Sequence, residues 1–416
     1  MSRAVPGSPA CAYGAFCNCD GGLGVIRIVH LRLLGTVLLA APALAGDYKP
    51  VTCDEGASYA GAPLASPPEV AMLPSAASAG GSFDASTTAR LEAALAQALV
   101  ATKASAMTVA VSRPDGATWA STRTRDGSPA PERLWWASVG KMVTAVAVLR
   151  LVEENRLSLA DPISRYVAGV PNGDAVTIEH LLAHTSGLFS ANEDKRVRAS
   201  RRPMKLADEL VVLHRHGAMF CPGERWRYSN SGYALLGAVI EKVEGRPFAR
   251  AASELVLTAL GPGSLRVLSP GEAATDLAPL TPADPKAVVV QPSWTGAAAG
   301  LAGRAEDMNR FLQATLAPGL LSDRTRRQRL ARLYPMFDQG SFYGLGLMIY
   351  RPPGTDLYWI GHGGGSPGAN AISIWSPRDQ AFVSVALTGD GSAAATANLL
   401  LKALPERPRS PSVPTP

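Results

Sequence analysis

Apolar positions along the chain change period several times, and each change marks an element. In TTARLEAALAQALVATK, Leu91, Leu95 and Leu99 share one face of a predicted helix that Asp84-Ala85-Ser86 opens. Met107–Ser112 and Thr118–Thr124 alternate as strands do, joined by the turn Arg113-Pro114-Asp115-Gly116. A helix is predicted from Ser138 to about Glu154. From about 157 to 292 the pattern is mostly helical with long loops. Leu301–Leu316 reads as a helix. Tyr343–Tyr350, Asp356–Ile360, Ala371–Trp375 and Ala381–Leu387 read as consecutive strands, and Ala393–Leu404 as a closing helix. Strands at both ends with helices between predict an α/β (α+β) fold. One antiparallel sheet is drawn from both ends of the chain and flanked by helices, with an all-helical subdomain inserted at about 157–292.

The segments outside this pattern differ in kind. Residues 31–45 read LRLLGTVLLAAPALA, with Arg27 and Arg32 ahead of the apolar run Leu33–Ala41. Ala43-Leu44-Ala45 then fits the small-x-small rule of a secretory signal. Residues 1–45 are therefore expected to be removed, leaving a periplasmic or secreted product. The basic-to-apolar stretch is long and mixed, so the true start is expected nearer Val25 or Val29. The apolar run is too short to span a bilayer, and no stable membrane anchor is expected after cleavage. Residues 46–82 are rich in Ala, Gly, Ser and Pro and read as a mobile linker. The folded core is placed at 83–404, and the Pro-rich 405–416 reads as a disordered tail.

Composition narrows the function classes. Apolar residues make up 47% and charged residues 18%, which suits a globular chain of 416 residues. The formal charge is +6, yet the basic runs Lys195–Arg202 and Arg324–Arg332 are short and read as solvated faces. No nucleic-acid partner is implied. Of five cysteines, Cys11, Cys17 and Cys19 would leave with the signal. Cys53 and Cys221 remain; an oxidising compartment would permit a disulfide, but the sequence does not bring the two together. Their separation is not a metal-type spacing.

Three short patterns carry chemistry. Ser138-Val139-Gly140-Lys141 places a hydroxyl and an amine three residues apart, on one face at a helix start. Free backbone N–H groups and the positive dipole end favour a nucleophile there. Tyr228-Ser229-Asn230 supplies a phenol for proton transfer and an amide that both donates and accepts. His362-Gly363-Gly364-Gly365 supplies glycines beside which a substrate backbone can approach a strand edge, with the Gly365 N–H a candidate oxyanion donor beside that of Ser138. Each alone also fits a bland reading: a helix cap, a turn before a helix, a glycine hairpin.

In this order, the three patterns resemble the joint signature of serine β-lactamases and penicillin-binding proteins. The tyrosine-x-asparagine form is similar to class C β-lactamases. The histidine-x-glycine form is similar to secreted DD-carboxypeptidases and related esterases. The segments 178–188 (IEHLLAHTSGL), 301–312 (LAGRAEDMNRFL) and Tyr343-Gly344-Leu345-Gly346 resemble recurring stretches of the same family. The resemblance spans about Phe83 to Leu404. It implies Ser138 as acylated nucleophile, with Lys141 and Tyr228 sharing acid/base work; which takes the first proton stays open. It implies substrate positioning by Asn230, by His362 facing a substrate carboxylate and the tyrosine, and by the backbone of Gly364 and Gly365. No metal or organic cofactor is implied.

Departures from the pattern shade the expectation. A valine and a glycine precede Lys141 where a hydroxyl residue often sits. His362 replaces the family's usual lysine and is neutral much of the time near pH 7, which weakens a cationic clamp. The expected activity is acyl transfer to water through an acyl-enzyme, on a small-molecule or peptide substrate. D-Ala-type amide hydrolysis of the DD-carboxypeptidase or penicillin-binding kind comes first. An esterase or a β-lactamase on the same scaffold is the alternative. A non-catalytic binding protein is a third reading, and no catalytic residue is lost to favour it.

Other fragments carry less. Gly364-Gly365-Ser366-Pro367-Gly368 matches G-x-S-x-G, but Pro367 and the following strand-like run deny the required strand-turn-helix. His214-Arg215-His216 reads as a helix end. His184 reads as a structural hydrogen-bonding residue. Trp135 and Trp136 read as core.

Overall fold

The computed structural model describes residues 49–68, 72–76, 80–200, 202–338, 340–351 and 358–405. The expected signal, 1–45, and residues 406–416 of the expected tail lie outside these.

The fold is a mixed α/β architecture around a nine-stranded sheet. Its strand order is Gly81–Ser82, Ala117–Thr124, Ala106–Ser112, Ala381–Thr388, Ala369–Ser376, Trp359–Ser366, Met348–Tyr350, Ser341–Tyr343, Tyr334–Pro335. All pairings are antiparallel except that of Gly81–Ser82 with Ala117–Thr124. Sequence-distant ends meet where Val109 opposes Val385. Period-two alternation sorts the strands between two cores. Val109, Val111, Val383 and Val385 pack with Leu91, Leu95 and Leu400 of helices Ala85–Thr102 and Ala393–Ala403. Ala110, Phe382 and Ala386 face the other core, shared with helices Lys141–Glu153 and Ala305–Leu316. Both faces are covered, so Ala106–Ser112 and Ala381–Thr388 are buried throughout.

Between the two strand groups lie helices Ile178–Ala183, Leu206–His216, Asn230–Glu244 and Phe248–Ala252. A second small sheet joins Leu134–Trp135, Leu301–Gly303 and Arg266–Val267. The helix Lys141–Glu153 is buried on nearly every face, from Lys141 to Leu149, as expected of a central helix without a polar side.

Four segments differ from the sequence expectation. Residues 49–68 form a bound strap rather than a mobile linker. Their backbone borrows partners from the segments it crosses: Val51 N–H donates to Ala218 O (2.9 Å), Ala57 to Pro222 (2.7 Å), Ala60 to Glu224 (2.8 Å) and Ala65 to Leu333 (3.0 Å). A disulfide joins Cys53 to Cys221. Leu301–Gly303 is a strand, and the helix begins only at Ala305. Tyr343–Tyr350 is two strands, Ser341–Tyr343 and Met348–Tyr350, split by a turn in which Gly346 has φ +70°. Finally, the His362 glycine run lies inside the strand Trp359–Ser366 rather than beyond a shorter strand ending at Ile360.

Candidate active site

Ser138 sits on a 3-10 turn, Ala137–Gly140, that runs straight into the helix Lys141–Glu153. Ala137 holds φ +47°, a left-handed conformation that costs a non-glycine residue about 1–2 kcal/mol. Trp136, immediately before that kink, is anchored twice. Its N–H donates to Leu301 O (2.9 Å), and its indole Nε1 donates to Gly303 O (3.2 Å). The kink is thus imposed by packing, and it delivers Ser138 at the helix start. Gly140 answers a close approach: a Cβ there would lie 3.0 Å from Leu301 Cβ. That contact brings the 297–301 segment against the helix.

Lys141 is fully buried. Its Nζ lies 2.6 Å from Asn230 Oδ1, 2.7 Å from Ala298 O and 3.2 Å from Ser138 Oγ. None of these partners is a carboxylate. Burial therefore drives the lysine well below its ordinary pKa. A neutral amine has two N–H groups and one lone pair. Nζ has all three oxygens within donor range; once deprotonated, with its N–H groups on Asn230 Oδ1 and Ala298 O, it would turn its lone pair to the Ser138 O–H. Asn230 is held in turn: its backbone N–H donates to Ser190 Oγ (2.9 Å) and its Nδ2 to Asn192 Oδ1 (2.9 Å).

Tyr228 moves the other way. Its hydroxyl is out of solvent and has no protein partner at bonding geometry. Burial raises its pKa far above the ordinary tyrosine range, and proximity to Ser138 opposes this only in part. Its ring lies 4.9 Å from Lys141 Nζ and 4.2 Å, ring to ring, from His184. His184 is buried, and its Nδ1 accepts the Ser229 N–H (3.2 Å), between Tyr228 and Asn230. That bond supports the structural role expected of His184. Burial, with Lys141 and His362 nearby, pushes its pKa well below the usual imidazole value.

On the sheet side, Gly364 presses against the Ser138 turn. A Cβ on it would meet Trp136 O at 2.6 Å and Ser138 N at 2.8 Å. Gly365 follows on the same strand, paired with Asn370. Beyond Gly361 the strand is no longer paired with Met348–Tyr350, although the Tyr350 hydroxyl still bonds the Gly363 backbone. His362 is fully buried. Its Nδ1 lies 2.5 Å from Gly363 O and its Nε2 3.0 Å from the Tyr343 hydroxyl. Burial first, then Lys141, lowers its pKa to about 3. The structure gathers Ser138, Lys141, Tyr228 and Asn230 around one amine, with Gly364 against the serine turn. It places His362 on the same face of the strand as Gly364, buried, with its ring nitrogens at Gly363 O and the Tyr343 hydroxyl.

Sequence reasoning missed four participants. Asn192 and Ser190 sit just past the His-Thr-Ser-Gly-Leu segment and carry no pattern of their own. Ala298 contributes a backbone carbonyl, which no side-chain pattern reveals. Tyr343 was visible only as part of a Tyr-Gly-Leu-Gly stretch. A hollow of about 210 Å³ lined by Leu257, Leu260, Leu265, Asp307 and Arg310 shares no residue with this site.

The family profile described as Beta-lactamase matches residues 91–404. The chain belongs to the Beta-lactamase family. Within that family it is similar to Penicillin-binding protein 4* of Bacillus subtilis, 37% identical over 119 residues, covering 27% of this chain and 26% of that protein. It is also similar to Esterase EstB of Burkholderia gladioli, 32% identical over 239 residues, covering 46% and 60%. The chain thus matches about a quarter of the first relative's length and under two thirds of the second's. Among solved structures, the D-stereospecific amidohydrolase from Streptomyces sp. aligns with TM-score 0.64 and 25% identity, covering 75% of this chain and 97% of that one. The D-amino acid amidase from Ochrobactrum anthropi SV3 shares the fold, with TM-score 0.66 at 21% identity over 75% and 98%. Family and fold agree: the relatives matched include a protein named as an esterase and solved structures named as amidohydrolase and amidase.

Proposed function

We propose that this protein is an exported amidase or esterase that works through an acyl ester on Ser138. The observation that carries the reading is the Lys141 environment. A buried amine with two acceptors for its N–H groups presents its lone pair to Ser138 Oγ at 3.2 Å. Lys141 takes the serine proton as Oγ attacks the substrate carbonyl carbon. The N–H groups of Ser138 and Gly365 hold the developing oxyanion. Tyr228, kept protonated by burial, gives a proton to the departing amine or alkoxide, and the protonated Lys141 restores it. Water then attacks the acyl ester; its proton passes to the same pair, and the acid product leaves with Ser138 regenerated. Opposite shifts in two neighbouring groups fit a base and an acid working at one pH.

D-Ala-type amides, the first expectation from sequence, and simple esters both satisfy these steps. The relatives named for penicillin binding, esterase activity and D-stereospecific amidohydrolysis support that range. Export is supported by the Cys53–Cys221 disulfide, which persists in oxidising compartments. Among the described residues no helix is long and apolar enough to cross a membrane. The test is hydrolysis of a D-Ala-D-Ala peptide, a D-amino acid amide and a 4-nitrophenyl ester by wild type and Ser138→Ala. Turnover of at least one by wild type alone is expected. Equal rates in the two proteins would overturn the reading.

A further inference from the structure

We infer that the exposed ring of Phe337 forms an apolar subsite for the leaving group, so that this site favours esters and amides whose departing alcohol or amine carries an aromatic or bulky apolar group. The inference rests on the acyl-Ser138 reading above and names its substrate class on the leaving-group side. Phe337 lies in the turn between the strands Tyr334–Pro335 and Ser341–Tyr343. A large apolar side chain stays 44% exposed there. It is nonetheless held: its ring stands edge-on to Trp226 at 5.4 Å and lies 6.4 Å from the ring of Tyr228, centroid to centroid.

Tyr228 is otherwise packed among aromatic rings, with His184 at 4.2 Å, Tyr343 at 6.2 Å and Trp226 at 6.5 Å. His184 and Tyr343 are buried, Trp226 and Tyr228 half-buried, and Phe337 exposed. The block therefore runs from the catalytic phenol out to solvent, and Phe337 is its open end. Proton transfer decides what meets that end. Tyr228 gives its proton to the departing oxygen or nitrogen, so the leaving group lies against Tyr228 as its bond to the acyl carbon breaks. The acyl oxygen is held apart from it, on the N–H groups of Ser138 and Gly365. A methanol leaving group touches Tyr228 alone. A ring on the leaving group extends past it, and the apolar surface that continues from Tyr228 to solvent is Phe337. Covering that ring removes apolar area from water on both partners. Because Trp226 already packs against the ring, little side-chain freedom is lost on binding.

The test is kcat/KM for methyl butyrate, benzyl butyrate and methyl 4-phenylbutyrate, each divided by the alkaline hydrolysis rate of the same ester. The first two differ only in the leaving group, and their alcohols have nearly equal acidity; the third moves the ring to the acyl side. Wild type is expected to prefer the benzyl over the methyl ester by about tenfold. Phe337→Ala should cut that preference about fivefold at an unchanged methyl butyrate rate, and Phe337→Leu should restore part of it. The acyl-side ratio should not move in either variant. No cleavage of the benzyl ester by wild type, or no preference for it, overturns the inference. So does an unchanged benzyl preference in Phe337→Ala, an equal loss on all three esters, which would make the ring a cover for Tyr228, or a change confined to the acyl-side ester. Ser138→Ala separates the two readings. If it cleaves the methyl ester as fast as wild type, the acyl-enzyme reading fails first; if it is inert while wild type shows no benzyl preference, only the subsite fails.

Discussion

Two walls meet at Ser138, and they treat their basic residue differently. On the helical wall, Lys141 is buried yet aimed at the nucleophile, with Asn230 and Ala298 taking its N–H groups. On the sheet wall, His362 is equally buried, but Gly363 and Tyr343 take both its nitrogens. Burial lowers the pKa of both groups; what surrounds each decides what a deprotonated nitrogen could reach. Lys141 keeps a lone pair facing a hydroxyl. His362 donates to one protein atom and accepts from another, and becomes part of the wall.

The largest expected effect lies on the helical wall. Ser138→Ala should lower kcat by at least about 10⁴-fold, since nucleophile and base act as a unit, and Lys141→Ala should fall nearly as far. Steady-state rates on any ester that wild type cleaves will show this. Retained activity in Lys141→Ala would break the contrast between the walls.

The helical wall also depends on the strap. Cys53–Cys221 closes a separation of 168 residues, just ahead of the Trp226–Asn230 segment. Paired Cys53→Ser and Cys221→Ser changes should lower stability by up to about 5 kcal/mol on the chain-entropy account. Urea unfolding with and without reductant reads this directly. Identical midpoints would show that strap hydrogen bonds alone hold the segment.

Gly364→Ala probes the sheet wall. Its Cβ would strike Trp136 O and Ser138 N and force the strand from the serine turn. A loss of about 10²-fold in kcat is expected, the scale of a displaced oxyanion donor. Thermal unfolding of the same variant separates this displacement from global loss of structure.

The smallest effect concerns stability and pH. Lys141 has a folded pKa below its unfolded value, so the unfolded chain binds more protons between the two. Wild-type stability should therefore rise with pH across that window, up to the ordinary lysine value of 10.5. Lys141→Met should remove this slope and add about 1–3 kcal/mol near neutral pH while abolishing activity. His362 has the same sign lower down: its folded pKa is about 3 against 6.5, so stability should fall as pH drops through that interval. Tm measured from pH 4 to 10 tests both. In catalysis, kcat/KM should fall on the acid side as Lys141 gains its proton.

Much of this was legible in the chain. Alternating valines at 109, 111, 383 and 385 need one buried face, which predicted a sheet drawn from both ends. Three short patterns in order named Ser138, Lys141, Tyr228 and Asn230, because residue type at fixed local spacing survives any packing. Other features had no local signature. The strap at 49–68 lacks periodicity because its order comes from hydrogen bonds to distant segments. The pairing of Cys53 with Cys221 required the strap's path. The strand character of the His362 glycine run came from Ala369–Ser376 alongside it, against glycine's own weak preference. Sequence alone determined which groups could do the chemistry. Only the tertiary structure decided which way they face, because the Ala298 carbonyl and the Tyr343 hydroxyl reach Lys141 and His362 across the fold, and burial turns those contacts into proton positions.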